Sequence, residues 1–257
     1  MRRLSGLLAL SSRRRADGLA RFQPERTRVV DCALVFRTRT MTYAPPANTG
    51  LDLVYADAHL VVVNKPAGLL SVPGRGEHKA DCLVARVMQD YPDAMIVHRL
   101  DMDTSGLLVL GRGPEMQRAL SILFMNRQVD KRYVALAEGK LPQDSGSIDL
   151  PLNVDWPNRP KHMVDFENGK PSLTRFATLG YDAALDATRV ALEPVTGRSH
   201  QLRVHLLAIG HPILGDELYA SPAGRAKAPR LCLHAELLAL VHPVSGERLC
   251  WERPAPF

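Results

Sequence analysis

Cysteine is scarce and unpatterned: Cys32, Cys82, Cys232 and Cys250 are the only four in 257 residues. No two have the close spacing of a zinc or thiol-redox motif, which argues against a cysteine metal site and for a reducing compartment, the cytoplasm. No uninterrupted apolar run approaches the about 18 residues a membrane span needs, so a soluble chain with no membrane partner is expected. A P-loop and a dinucleotide fingerprint are both missing, which removes the usual signs of nucleotide-driven or redox chemistry. His200, His205 and His211 lack carboxylates or cysteines at ligand spacing, so they read as hydrogen-bonded histidines, with no metal and no cofactor expected. Repeats and low-complexity tracts are also lacking.

What is present suffices for a sizeable core: 46% of the residues are hydrophobic, enough for one large domain or two small ones. The formal net charge of +6 suggests a polyanionic partner, but it is unevenly placed. Residues 1–40 carry ten Arg and three acidic residues, and the remainder holds 23 basic and 24 acidic residues. A core that binds RNA must then gather its cations around one cleft.

The Arg-rich start has three readings: an RNA-contacting basic tail, an organelle-type presequence, or an upstream start that is not used, with Met41 opening the chain proper. The third is favoured. The chain divides accordingly into a basic extension, 1–50, disordered or untranslated, and a catalytic domain, 51–257.

Along that domain, Leu51 to Asn64 reads as a strand before the Lys65-Pro66-Ala67-Gly68 turn. Asp81 can cap a helix with Val84, Val87, Met88 and Tyr91 on its apolar face, ended by Pro92. Pro114 can begin a second helix, with Met116, Leu120, Leu123 and Phe124 inward and Asn126-Arg127 closing it. Tyr133 to Ala137 reads as a strand with Tyr133 at its leading end. Trp156 to Lys161 is a proline-stiffened loop with one aromatic and two cations, as many RNA-contacting and many plain surface loops are. Leu173 to Leu179 and Thr188 to Pro194 read as paired strands. Ser199 can cap a third helix with Leu202, Leu206 and Ile209 on its buried face; Arg203 falls one position off it, where a lone arginine ordinarily snorkels to solvent. Strands at Leu231 to Leu240 and Arg248 to Trp251 complete an α+β domain built on a mixed, largely antiparallel sheet.

The organising stretch is Val97 to Leu110, a polar loop that runs directly into a buried apolar strand. Within it Asp101 is the candidate for chemistry, because a carboxylate held at the mouth of a core strand by neighbouring Arg99 can be positioned and kept ionised. Residue types alone leave an ordinary ion pair or turn as the commoner explanation.

His98-Arg99-Leu100-Asp101 followed by Thr104-Ser105-Gly106 resembles the signature of the RluA-type pseudouridine synthases. Asn64 to Gly68, Lys131-Arg132-Tyr133 and Gly197 to His205 resemble three further motifs of that family, in its order. The resemblance covers about residues 51 to 257 and implies the pseudouridine synthase fold, with a central cleft across the sheet. It implies that Asp101 is the catalytic aspartate, Arg203 the cation paired with it, and Tyr133 the aromatic face on the target uracil. It also implies that Leu202 lines the pocket, that Arg99 enters the RNA stack as the uridine flips out, and that His98 lies beside the substrate. Leu70 to Arg75, Asp155 to Lys161 and Ala220-Ser221-Pro222 resemble a dual-specificity subgroup acting on a tRNA anticodon stem-loop and on 23S rRNA.

Pseudouridine formation breaks an N-glycosidic bond, turns the base and rejoins it through carbon, with no redox change. The target base must leave the stack first. The resemblance implies tRNA and rRNA partners, and no obligate protein partner is evident in the sequence. Two rivals remain at this point: a glycosidase-like hydrolase using Asp101 and Asp103 as a carboxylate pair, and a non-catalytic RNA-binding module.

Overall fold

The computed structural model describes residues 43–257; the Arg-rich extension and Cys32 lie outside them. The first element is a hairpin where a single strand was expected, with β1 (Leu53–Ala56) antiparallel to β2 (Leu60–Lys65). Asp57 makes the turn, its Oδ1 accepting the backbone N–H of His59 at 2.7 Å and of Leu60 at 2.8 Å. A short carboxylate that bonds its own following backbone competes successfully with strand continuation.

Helix α1 (Leu83–Asp90) has Cys82 at its N-cap with no side-chain cap. Asp81, expected there, is instead gripped by the Arg86 guanidinium through both carboxylate oxygens at 2.8 Å. Val87 is buried, Val84 and Tyr91 pack beside it, and Met88 faces solvent. After β3 (Ala94–Ile96) and β4 (Ser105–Arg112), α2 (Gly113–Met125) opens with Pro in its first turn, and Arg127 at φ 59° follows its end. β5 (Asp130–Glu138) starts three residues earlier than expected, which puts Tyr133 inside the strand.

The chain continues through β6 (Ser145–Asp149), β7 (Leu152–Val154), β8 (His162–Val164), β9 (Leu173–Asp182) and β10 (Ala187–Pro194). It closes with α3 (Gln201–Ala208), α4 (Pro222–Ala226), β11 (Leu233–Val241) and β12 (Arg248–Glu252). Helix α3 also departs from expectation at its start. His200, in the left-handed region at φ 56°, occupies the N-cap in place of Ser199, with no side-chain cap, and the Gln201 Oε1 accepts the Arg198 N–H at 3.0 Å.

Ten strands form one sheet in the order β1-β2-β4-β11-β5-β10-β9-β6, with β12 beside β11 and β3 beside β4. Among the strands of the described residues only β4 and β11 pair in parallel, so the sheet is mixed and largely antiparallel, as expected. β7 and β8 form a separate hairpin.

Strand alternation sorts the core. Leu60, Val62, Leu107 and Val109 pack with Met116 and Leu120 of α2, while Val61, Val63, Leu108 and Leu110 pack with Leu83 and Val87 of α1. Both faces of this half are covered, which is why β2 and β4 are continuously apolar. The other half packs β5 and β10 against Leu202 and Leu206 of α3. Each fully buried Leu or Val contributes about 1.5–3 kcal/mol. Gly106 lets the halves approach: a Cβ there would lie 2.3 Å from the Ala235 carbonyl oxygen across the β4–β11 junction. The cleft opens beside that junction.

Candidate active site

Asp101 sits on the loop entering β4, and both of its neighbours are tied down. Ser71 donates to the Leu100 carbonyl at 2.7 Å and accepts the Leu100 N–H at 3.1 Å. The Met102 carbonyl accepts the Lys65 ammonium at 2.8 Å and the Gly68 N–H at 2.9 Å. Lys65 is fully buried and also donates to the Pro66 and Leu69 carbonyls, at 2.9 and 2.7 Å. Burial pushes its pKa down to about 7 against the opposing pull of Asp103 and Asp101. The loop is thus preorganised by two buried side chains, Lys65 and Ser71.

Arg203 joins the two halves. Its Nε and Nη2 donate to Asp216 Oδ2 and Oδ1, both at 2.7 Å, and its Nη1 donates to Asp101 Oδ2 at 3.2 Å. The sequence position suggested a snorkelling residue, but Arg203 is 3% exposed. Burial opposes its charge, and the bonds to Asp216 and then Asp101 outweigh that and hold the guanidinium cationic. Asp216 is completely buried, and its Oδ1 also accepts the N–H groups of Leu218 and Tyr219, at 2.9 and 3.2 Å. The Tyr219 ring lies 5.0 Å from the guanidinium carbon. A desolvated cation is stable only with such saturation.

Arg99, by contrast, is exposed and makes no ion pair with Asp101 among the described residues. The cation beside Asp101 is therefore Arg203, 102 residues away in sequence. His98 accepts the Val109 N–H on Nε2 at 3.1 Å and stacks on Phe124 with centroids 4.4 Å apart. Burial pushes it down to about 3, so it is a neutral ring bracing the loop against β4.

These residues meet in a cleft of about 770 Å³. His98, Arg99, Asp101, Tyr133, Leu202 and Arg203 all line it, so every expected site residue converges on one place. Arg127, Lys131 and Arg198 join Arg99 and Arg203, giving, among the described residues, five cations around a single carboxylate, since Asp103 is not on the wall. Burial raises the Asp103 pKa, with Arg203 and Lys65 pulling it back. The charge segregation demanded of an RNA-binding core is present although residues 41–257 together carry slightly more acid than base. The Tyr133 hydroxyl makes no hydrogen bond among the described residues, and burial, then Asp101, raises its pKa. Among the described residues no group of acidic, His and Cys side chains could hold a metal.

A sequence model described as RNA pseudouridylate synthase matches residues 59–208. The chain belongs to that family. As a pseudouridine synthase it is an isomerase acting on RNA. It is 52% identical over 215 residues to the "Dual-specificity RNA pseudouridine synthase RluA" of Escherichia coli (strain K12), covering 84% of this chain and 98% of that one. The protein of the same name from Pasteurella multocida (strain Pm70) is 48% identical over 217 residues, covering 84% and 99%. The solved structure of "Human RNA Pseudouridylate Synthase Domain Containing 1" superposes with a TM-score of 0.70 at 30% identity, covering 83% of this chain and 87% of that one.

In this synthase, sequence reading missed Asp216, Tyr219, His200 and Lys65 as members of the site. A local signal exists for the first. Gly215 follows the buried Ile213-Leu214 pair at φ 70°, with a Cβ position 1.9 Å from the Arg230 carbonyl oxygen. A glycine required immediately after a buried apolar pair marks a turn that delivers the next residue inward. The three histidines set aside as hydrogen-bonded are so: His200 contacts the Tyr219 hydroxyl, His205 the Thr174 hydroxyl and Leu150 carbonyl, and His211 the Glu138 carbonyl.

Proposed function

We propose that Asp101 is the carboxylate that performs the isomerisation, acting on a uridine flipped into the cleft, and that the substrates are a tRNA anticodon stem-loop and 23S rRNA. The observation that carries this reading is the lone carboxylate among five cations, with its Oδ1 free of hydrogen bonds among the described residues. An anionic strand is drawn to such a wall, and the unshared carboxylate oxygen is the group able to attack or take a proton. Arg203 orients Asp101, Tyr133 offers the face against which a detached uracil can turn, and Leu202 closes the pocket beneath it. Arg99, exposed at the rim, is the side chain free to fill the gap left in the RNA stack, with His98 behind it.

Two observations support the pair of substrates. The relatives are named dual-specificity enzymes, and segments resembling that subgroup border the cleft through Leu70, Ser71, Val72 and Pro160. Beside them Trp156 is exposed, with the Arg159 guanidinium 4.6 Å from its ring, an arrangement suited to stacking on unpaired bases. RNA substrates of this kind agree with a cytoplasmic enzyme; no helix among the described residues is long and apolar enough to cross a membrane. The test is incubation with an anticodon stem-loop and with a 23S rRNA fragment, read by pseudouridine content and product mass. Both RNAs should gain pseudouridine at unchanged mass. Loss of the base would instead favour a hydrolase, and conversion of one RNA alone would remove dual specificity.

A further inference from the structure

His200 is the residue beside Asp101 that the reading above leaves without a task. It caps α3 in the left-handed region at φ 56°, a conformation that needs outside support in a non-glycine residue. Its Nε2 faces Asp101 Oδ2 at 3.9 Å, the same oxygen that Arg203 contacts. Its Nδ1 lies 2.7 Å from the Tyr219 hydroxyl. The Tyr219 oxygen in turn accepts the backbone N–H of His162 at 2.8 Å.

These contacts favour one placement of the protons. The His162 N–H can only donate, so the Tyr219 oxygen is already an acceptor, and its own proton has His200 Nδ1 as the acceptor in reach. Burial pushes the Tyr219 hydroxyl up to about 12, so that proton stays in place at neutral pH. If Nδ1 accepts, the ring's single proton lies on Nε2 and points at the carboxylate. The opposite tautomer would set an imidazole lone pair against an anionic oxygen and leave the Tyr219 proton without a partner. A second proton is disfavoured. Burial brings His200 down to about 4, with Arg203 and His162 acting in the same direction as burial and Asp101 and Asp216 opposing it.

We propose that His200 is a positioning residue for Asp101, locked by the Tyr219 hydroxyl in its Nε2–H tautomer so that this N–H and Arg203 together engage Oδ2 and present Oδ1 to the uridine. The inference rests on Asp101 being the reacting group. Contacts of this sort are often long without substrate and tighten in the reacting complex. The same hydroxyl ties the β7–β8 hairpin to the site, since His162 opens β8.

The direct readout is long-range proton–nitrogen NMR of the full chain at neutral pH. It should show His200 unprotonated at Nδ1 and protonated at Nε2; the reverse tautomer, or an imidazolium, would overturn the proposal. The kinetic readout uses Tyr219→Phe, which keeps the ring on Arg203, together with His200→Gln and His200→Leu. Losing one donor to a charged group predicts kcat lower by about tenfold in Tyr219→Phe and His200→Leu, with KM for RNA unchanged. His200→Gln, whose amide can still donate near the Nε2 position, should recover most of that loss. Wild-type kcat in both Tyr219→Phe and His200→Leu would overturn the proposal. Asp101→Asn in parallel separates the two failures: turnover there removes the catalytic reading itself, whereas an inactive Asp101→Asn beside fully active Tyr219→Phe and His200→Leu removes only the role of His200.

Discussion

Asp216, completely buried, holds the nearly buried Arg203 by two parallel hydrogen bonds of 2.7 Å, and the guanidinium's remaining nitrogen reaches Asp101 at 3.2 Å. The orientation of the cleft carboxylate is therefore set by an acid that does not line the cleft. Asp216→Asn should leave a buried guanidinium short of one charge, a change that typically destabilises by about 3–5 kcal/mol. Urea denaturation should show a lower midpoint at unchanged slope, and turnover should fall at temperatures where the variant remains folded. A variant as stable and active as the parent would mean that the pair carries neither load.

Arg203→Lys tests the fork directly. An ammonium keeps the charge but cannot grip Asp216 with two nitrogens while a third engages Asp101. Loss of even one charge-assisted bond at Asp101 predicts a decrease in kcat of about 10- to 100-fold with RNA affinity retained. Steady-state kinetics with a short stem-loop substrate distinguishes this from a mere binding defect, in which KM alone would rise.

Much of this architecture is legible in the sequence, and the exceptions have a common cause. The apolar run of β4, the α2 helix between Pro114 and Arg127, and the β9–β10 hairpin follow from periodicity and punctuation that act within a few residues. Local rules fail where a distant or stronger partner captures the side chain: Asp81 is taken by Arg86, and the N-cap of α3 falls on His200, in contact with the Tyr219 hydroxyl, instead of Ser199. Arg99 is the instructive case at the site. Closeness in sequence made it the partner of Asp101, but Arg99 is exposed, and Arg203 arrives from the other half of the sheet. Tertiary pairing of that kind leaves no periodic trace.

Stability should fall on mild acidification. His98 is pushed down to about 3 and His200 to about 4, both by burial, from the ordinary value of 6.5. Folded pKa values below the unfolded ones mean that the unfolded chain binds more protons throughout the window from 6.5 down to about 4, so the folding free energy shrinks as pH drops through it. Urea midpoints measured at neutral pH and near pH ~5 should differ in that direction. His98→Gln, which can still accept the Val109 N–H, should reduce the pH slope. An unchanged slope would show that His98 does not titrate as its burial requires.

Tyr133 should act through its ring first and its hydroxyl second. With its pKa raised, the phenol stays protonated and takes part as a donor, so no neutral-pH inflection in rate should trace to it. Tyr133→Phe keeps the stacking face and should release uracil from the sugar normally while finishing the product about tenfold more slowly. Tyr133→Leu should impair both stages. Quenched-flow analysis of detached base and of pseudouridine resolves the two, and wild-type rates in the leucine variant would remove Tyr133 from the site.

The proposed role of Asp101 in the isomerisation is measured most directly by tritium release from 5-tritiated uridine in RNA by Asp101→Asn. Asparagine preserves shape and leaves Oδ1 in the cleft without its charge, so folding and RNA binding should persist while release is abolished. A folded, RNA-binding variant that releases no tritium under single-turnover conditions is the predicted result; release at a rate near that of the parent would contradict it.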